Sequence, residues 1–326
     1  MNIHPMWGDY KGLKNELGEV LSVIEENVTI SEKNVQQYVK DMLTSGGKLL
    51  RPAYFLMCAK IGPDYDFEQV TSIAAAIELL HVATLVHDDV IDDAKVRRGV
   101  PTLKEKFGNN YAIYTGDYLF AVCFKILSKH AKDLSHIEFN TSAMEKILAG
   151  ELNQLNNRYD SDITIRQYLK QISGKTAELF ALSCYFGAEV SHASNGMKNM
   201  ARKIGRNIGM AFQILDDVLD YTQDSKAMGK PVLADIHQGI YSLPIIYAMQ
   251  KEACQMRFYL DKKEQISEQE LEAVLDLIRE SGALEDAKML AKKYTDKALA
   301  LIKKLPTGEY KAQMQEITTT LLSRMA

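Results

Sequence analysis

Residues 73–86 read IAAAIELLHVATLV, and the seven positions that follow hold four aspartates, Asp88, Asp89, Asp92 and Asp93. Ile73, Ile77, Leu80 and Thr84 recur at three- and four-residue spacing, the period of one helix face. A helix this apolar belongs in a core, so the fold must bury it under other elements and still end it in negative charge. Like charges four residues apart on a helix cost about 0.2–0.5 kcal/mol per pair, which requires either something positive nearby or open water. The helical period returns along most of the chain, as in Leu271, Val274, Leu275 and Ile278. Just before that segment Ser267 and Glu270 have the spacing of a capping box, and Gly282 suits its stop. Alternating runs bounded by turn dipeptides are scarce, so strands should be minor. The expected fold is all-α, a single bundle of long helices around a central apolar cavity.

The 326 residues are 46% hydrophobic and 25% charged, with 7 prolines and a formal net charge of -4, the balance of a globular protein with ample core. No Pro-, Gly- or Ser-rich linker interrupts them, so one domain over residues 1–326 is expected. The mild acidity speaks against a nucleic-acid partner. Cys58, Cys123, Cys184 and Cys254 lie in apolar segments without CxxC spacing, as buried thiols of a reducing cytosol would. The first residues lack a basic start followed by an apolar run, and no apolar run reads as long enough to span a bilayer. A cytoplasmic location is the expectation.

The acidic segment LVHDDVIDDA (85–94) is echoed by FQILDDVLDYT (212–222), a second DDxxD at the end of a second apolar helix. At 100° per residue, Asp88 and Asp92 share a face about 6 Å apart along the axis, and His81 falls near the same face. Asp216 and Asp220 repeat the arrangement. Two carboxylate faces opposed across a cavity suit hard divalent cations, and Mg²⁺ usually binds through one or two carboxylates plus substrate phosphates. Basic residues complete the picture. In SGGKLLRP, Gly46 and Gly47 free the backbone ahead of Lys48 and Arg51, and Pro52 suits the first turn of a helix whose N-terminus attracts anions. Arg97 and Arg98 follow the first acidic motif, Lys175 lies in ISGKTAELF, and Lys230 follows Gly229. Acidic metal sites and basic anion sites in one chain imply a polyanion bridged by Mg²⁺, and a diphosphate fits best.

The ordered set GGKLLRP, LVHDDVIDDAKVRRGVPT, YTGDYLF, GELNQL, GKTAELF, FQILDDVLDYT and GKP…SLP resembles the trans-isoprenyl diphosphate synthase, or polyprenyl synthetase, family across residues 40–250. Within it the chain looks most like medium- to long-chain members such as the catalytic component of bacterial heptaprenyl diphosphate synthases. The resemblance implies the isoprenoid synthase fold and head-to-tail condensation of isopentenyl diphosphate onto an allylic diphosphate, farnesyl diphosphate being the expected primer. It implies about three Mg²⁺ ions per site, brought in with the diphosphate. Asp88, Asp92 and Asp216 would ligate them, with Asp89, Asp217 and Asp220 in support. Lys48, Arg51, His81 and Arg98 would hold isopentenyl diphosphate. Arg97, Lys175, Thr176, Gln213 and Lys230 would hold the allylic diphosphate, and Asp88, Asp92, Asp216, Lys175 and Arg97 form the expected catalytic set.

The family's GGKRxRP carries an arginine where Leu49 stands, read here as the loss of one peripheral charge. One turn before Asp88, Ala83 and Thr84 are small where short-chain members often carry an aromatic floor. That leaves room for a growing tail past Leu80 toward Ile77, and predicts a product of roughly six to eight isoprene units. Quinone side-chain synthesis is the implied use. YTGDYLF (114–120) is the expected subunit interface of a homodimer, or of a heterodimer with a small non-catalytic subunit, with transient membrane contact for product release. The competing readings are a shorter-chain geranylgeranyl or farnesyl diphosphate synthase, another class I terpenoid enzyme, a non-catalytic diphosphate-binding subunit, and a structural all-α protein with acidic helix ends. A non-catalytic subunit should have lost one DDxxD, and both are intact.

Overall fold

A computed structural model describes residues 3–44, 47–97, 99–130, 134–222 and 234–323. The described chain is helical almost throughout, as the spacing predicts. Its first half carries α1 (Lys11–Asn27), α2 (Lys33–Thr44), α3 (Leu50–Cys58), α4 (Phe67–Ile91), α5 (Leu103–Phe107), α6 (Asn109–His130) and α7 (Leu134–Asn156). Then come α8 (Ile165–Ile172), a π-helical turn at Ser173–Ala177, α9 (Glu178–Val190) and α10 (Asn195–Thr222). The last part holds α11 (Ala234–His237), α12 (Leu243–Lys251), α13 (Ala253–Leu260), α14 (Glu268–Glu280), α15 (Ala283–Ile302) and α16 (Glu309–Ser323). The described strands are two residues each, β1 (Val96–Arg97) and β2 (Val100–Pro101), paired antiparallel with Val96 opposite Pro101.

The chain forms two compact units. The first comprises Met1–Ser142, Leu182–Arg202 and Leu305–Met314. Its central helix is α4, against which α1, α3 and α6 pack. Asp66 caps α4 by accepting from the Gln69 N–H at 3.2 Å, and Glu68 in the first turn suits the positive end of the helix dipole. Helix α1 presents Leu13, Leu17, Leu21 and Ile24 on one face, all buried, each contributing about 1.5–3 kcal/mol by leaving water. By length and hydropathy α4 is in fact capable of crossing a bilayer, against the expectation from the sequence. It is a core helix instead, because 78% of its most apolar window is buried in protein.

The second unit comprises Ala143–Ala181, Lys203–Lys304 and Gln315–Ala326. Here α12 packs against α8, α13, α14 and α15. Helix α14 opens on the predicted capping box, with the Ser267 side chain accepting from the Glu270 N–H and Glu270 reaching back to the Ser267 N–H. Its buried stripe is Leu271, Val274 and Ile278, and Gly282, at φ 72, turns the chain into α15. The cysteine expectation needs one correction. Cys58, Cys123 and Cys184 are buried, but Cys254 is exposed. Helix α13 buries only Met256 and Leu260, and position 254 lies about 200° around the helix from 256.

Candidate active site

The first acidic motif occupies the C-terminal end of α4. Asp88 and Asp89 stand in its last turn and Asp92 is the C-cap. This is the negative end of the helix dipole, so the carboxylates are disfavoured there by the backbone as well as by each other. The helix closes in a Schellman turn: the Ala94 N–H donates to the Asp89 carbonyl at 3.0 Å and the Asp93 N–H to that of Val90 at 3.4 Å. Asp93 takes the left-handed position at φ 51, where glycine is usual and aspartate is tolerated. Its carboxylate pairs with Lys104, whose side chain is only 7% exposed. Asp93, which the sequence left without a role, thus fastens the end of the helix.

Asp89 is buried, and both Nε and Nη2 of Arg97 donate to its Oδ1 at 2.7 Å. Asp88 and Asp92, half-buried, stand one residue before it and three after, together on a neighbouring face. The hairpin carrying Arg97 is itself tied down. Thr102 donates its hydroxyl to the Ala94 carbonyl at 2.7 Å, and Tyr38 donates its hydroxyl to the Pro101 carbonyl. His87 stacks on Phe120 with ring centroids 5.4 Å apart and reaches Asp117 at 3.2 Å, which fixes the helix end against α6. His81 and Thr84 are half-buried, Ala83 and Leu80 fully buried, and the Thr84 hydroxyl donates to the His81 carbonyl at 2.7 Å.

The second motif ends α10. Asp216 is exposed, Asp220 half-buried and Asp217 buried. Asp217 accepts from the Tyr168 hydroxyl at 2.5 Å and from Gln213 Nε2 at 2.8 Å. Gln213 accepts in turn from the Thr176 hydroxyl at 2.6 Å. Burial pushes the Asp217 carboxyl up to about 7, the two hydrogen bonds pull against it, and the neighbouring Asp216 and Asp220 raise it further. Thr176 and Gln213, expected to line one substrate site, are therefore joined, and Lys175 precedes Thr176 on the π turn. Tyr168 left no signal in the sequence, since 49 positions separate it from Asp217.

Among the remaining basic residues, Lys48 is exposed and Arg51 half-buried at the start of α3, where Pro52 does lie in the first turn. The Trp7 indole, fully buried, donates to the Lys48 carbonyl at 2.9 Å and so pins this loop, a tie the sequence did not reveal. Arg98, Lys230, Gly46 and Gly229 lie outside the described residues.

Residues 32–278 match the polyprenyl synthetase family. The chain belongs to that family. Like other polyprenyl synthetases it is a prenyltransferase, a trans-prenyl diphosphate synthase that acts on isoprenyl diphosphates with divalent cations. It is 36% identical to heptaprenyl diphosphate synthase component 2 of Geobacillus stearothermophilus over 94% of this chain and 95% of that one. Its structure matches geranylgeranyl pyrophosphate synthase of Lactobacillus brevis with a TM-score of 0.94 at 40% identity, covering 98% of this chain and 99% of the other. It also matches a polyprenyl synthase of Caulobacter crescentus, complexed with calcium and isoprenyl diphosphate, at 0.89 and 30% identity over 97% of each chain. The fold is thus that of the isoprenoid synthases.

For a polyprenyl synthetase the donor set is apt. Among the described residues no three His, Cys, Asp or Glu side chains group closely enough to hold an ion by themselves. Asp88 with Asp92, and Asp216 with Asp220, each offer hard oxygen donors in the number Mg²⁺ takes when phosphates supply further ligands. Leu49, which departs from the polyprenyl synthetase motif, is buried and left-handed at φ 48.

Proposed function

We propose that this polyprenyl synthetase is a Mg²⁺-dependent all-trans synthase that extends farnesyl diphosphate with isopentenyl diphosphate to a medium- or long-chain product, roughly six to eight isoprene units, used in quinone side chains. One observation carries the reading. A DDxxD stands at the C-terminal end of a long helix twice, with Arg97 bonded to Asp89 in one case and Lys175 adjoining the Thr176–Gln213–Asp217 network in the other. The small residues Ala83 and Thr84 before the first motif support the longer product over a geranylgeranyl or farnesyl one.

In this reading Asp88, Asp92 and Asp216 hold the Mg²⁺ ions. Those ions, when bound, neutralise charge on the diphosphate as it leaves. Arg97, Lys175 and Lys230 grip the allylic diphosphate, with Thr176 and Gln213 beside it, and favour the charge that builds as the C–O bond breaks and the diphosphate departs with the electron pair. Lys48, Arg51, His81 and Arg98 anchor isopentenyl diphosphate so that its double bond lies ready to attack the allylic cation. The π electrons form the new C–C bond, and the proton then lost is taken by the departed diphosphate. Asp89 keeps Arg97 in place, and buried apolar walls keep water from the cation.

The whole chain acts as one domain in the cytoplasm, and α6 forms the subunit interface of a homodimer or of a heterodimer with a small non-catalytic subunit. Tyr111 is 50% and Tyr114 73% exposed on α6, beside a groove of about 520 Å³ lined by residues 29–32 and Val35. Such aromatic exposure supports an interface. The purified chain, given Mg²⁺, farnesyl diphosphate and labelled isopentenyl diphosphate, is expected to yield labelled polyprenyl diphosphates. Activity that needs an added small subunit would select the two-component form. Absence of both elongation and Mg²⁺-dependent diphosphate binding would overturn the reading.

A further inference from the structure

The segment GELNQL (150–155) has no part in the site described so far. Its Glu151 Oε2 lies 2.8 Å from Lys175 Nζ, and Gln154 Oε1 lies 3.5 Å from the same nitrogen. The two acceptors are three residues apart on α7, hence neighbours on one face. An ammonium has three N–H bonds; directing two of them at Glu151 and Gln154 fixes where the third points.

The backbone that carries Lys175 is held with equal definition. Residues 173–177 form a π turn, a geometry often found at functional sites because the inserted residue re-aims the side chains around it. Helix α7 lies so close to this turn that a Cβ on Gly150 would stand 3.0 Å from the backbone nitrogen of Lys175. On the α10 side, a Cβ on Gly209 would stand 2.6 Å from the Ala177 Cα. Arg206 donates to the Ser173 hydroxyl at 3.0 Å, and Lys146 of α7 pairs with Glu178 at 3.1 Å. With the main chain clamped from two helices, the freedom left to Lys175 is that of its own four-carbon stem, and Glu151 and Gln154 restrict that.

An acid next to a lysine meant for diphosphate is otherwise counterproductive. It offsets the lysine's charge and repels the substrate's, so attraction does not explain it, whereas orientation does. We propose that Glu151 is the positioning residue of Lys175, setting the point at which its ammonium meets the allylic diphosphate; this rests on the assignment of Lys175 to that substrate.

Calorimetric titration with farnesyl diphosphate and Mg²⁺, and separately with isopentenyl diphosphate, tests it on the full chain. Glu151→Ala is expected to raise the Kd for farnesyl diphosphate roughly tenfold and to leave that for isopentenyl diphosphate within about twofold. Glu151→Gln, which keeps an acceptor of the same reach, should recover most of the loss. Added to Lys175→Ala, the Glu151→Ala change should cost nothing more, because its effect runs through the lysine. Independent, multiplying losses in the double variant, or equal losses for both substrates, would overturn the proposal. So would an unchanged Kd in Lys175→Ala, which would also remove the lysine's assignment; a loss in Lys175→Ala with none in Glu151→Ala would sink the role of Glu151 alone. Should Glu151→Ala not fold, Glu151→Leu keeps the bulk without an acceptor and takes its place in the cycle.

Discussion

Neighbouring positions on a helix point about 100° apart, so Asp216 and Asp217 cannot share an environment. Asp216 meets solvent while Asp217 is held by Tyr168 and Gln213 inside the protein. The same division runs through the first motif, where Asp88 and Asp92 remain partly open and Asp89 is buried under Arg97. One carboxylate of each motif is thus a strut, and in the proposed reading Asp88, Asp92 and Asp216 are the ones that would hold cations. Their position at a helix C-terminus is disfavoured by the helix dipole, and a bound cation would offset that. Asp88→Asn should therefore lower kcat by about 10²–10³-fold while the thermal midpoint stays level or rises, since one repelling charge is removed. A fall in both would assign Asp88 to structure. The DDxxD spacing was legible in the sequence; which aspartate is strut and which is ligand was not, because that depends on Arg97, Tyr168 and Gln213 arriving from elsewhere.

At the scale of elements, local chemistry specifies starts and stops closely. The capping box at Ser267 and Glu270 is present as the spacing predicts, and Lys262 adds an ion pair to it. Lys262 and the Ser267 N–H hold the Glu270 carboxyl down at about 2, below the about 4.3 of a free glutamate. A depressed carboxyl stabilises the fold above its unfolded value and loses that contribution as pH falls through the folded one. Glu270→Gln should then be less stable than the parent at neutral pH, with the gap in thermal midpoint closing from about pH 4 toward about pH 2. A gap that ignores pH would rule the ion pair out as its cause. Other terminations could not be read from spacing alone. The left-handed Asp93 at the end of α4 owes its place to Lys104, and the loop before α3 to Trp7.

For the molecule as a whole, the proposed reading makes the length of product turn on what lies beneath the first motif. Ala83 is fully buried on α4, so Ala83→Phe should shorten the products seen by radiolabel chromatography. It should also cost about 1–3 kcal/mol through overpacking, which makes a thermal melt a necessary companion. Unchanged products from a folded variant would move the length control elsewhere. The sequence by itself determined the all-α class, the two acidic helix ends and the basic segments, because period, spacing and charge are properties of consecutive residues. It did not determine that α4, apolar enough for a membrane, is a core helix, nor that Cys254 faces water and Leu49 does not. Nor did it show Arg97 locked on Asp89 or Lys175 on Glu151. Burial and pairing depend on residues far apart in the chain, and only the tertiary structure decides which of them meet.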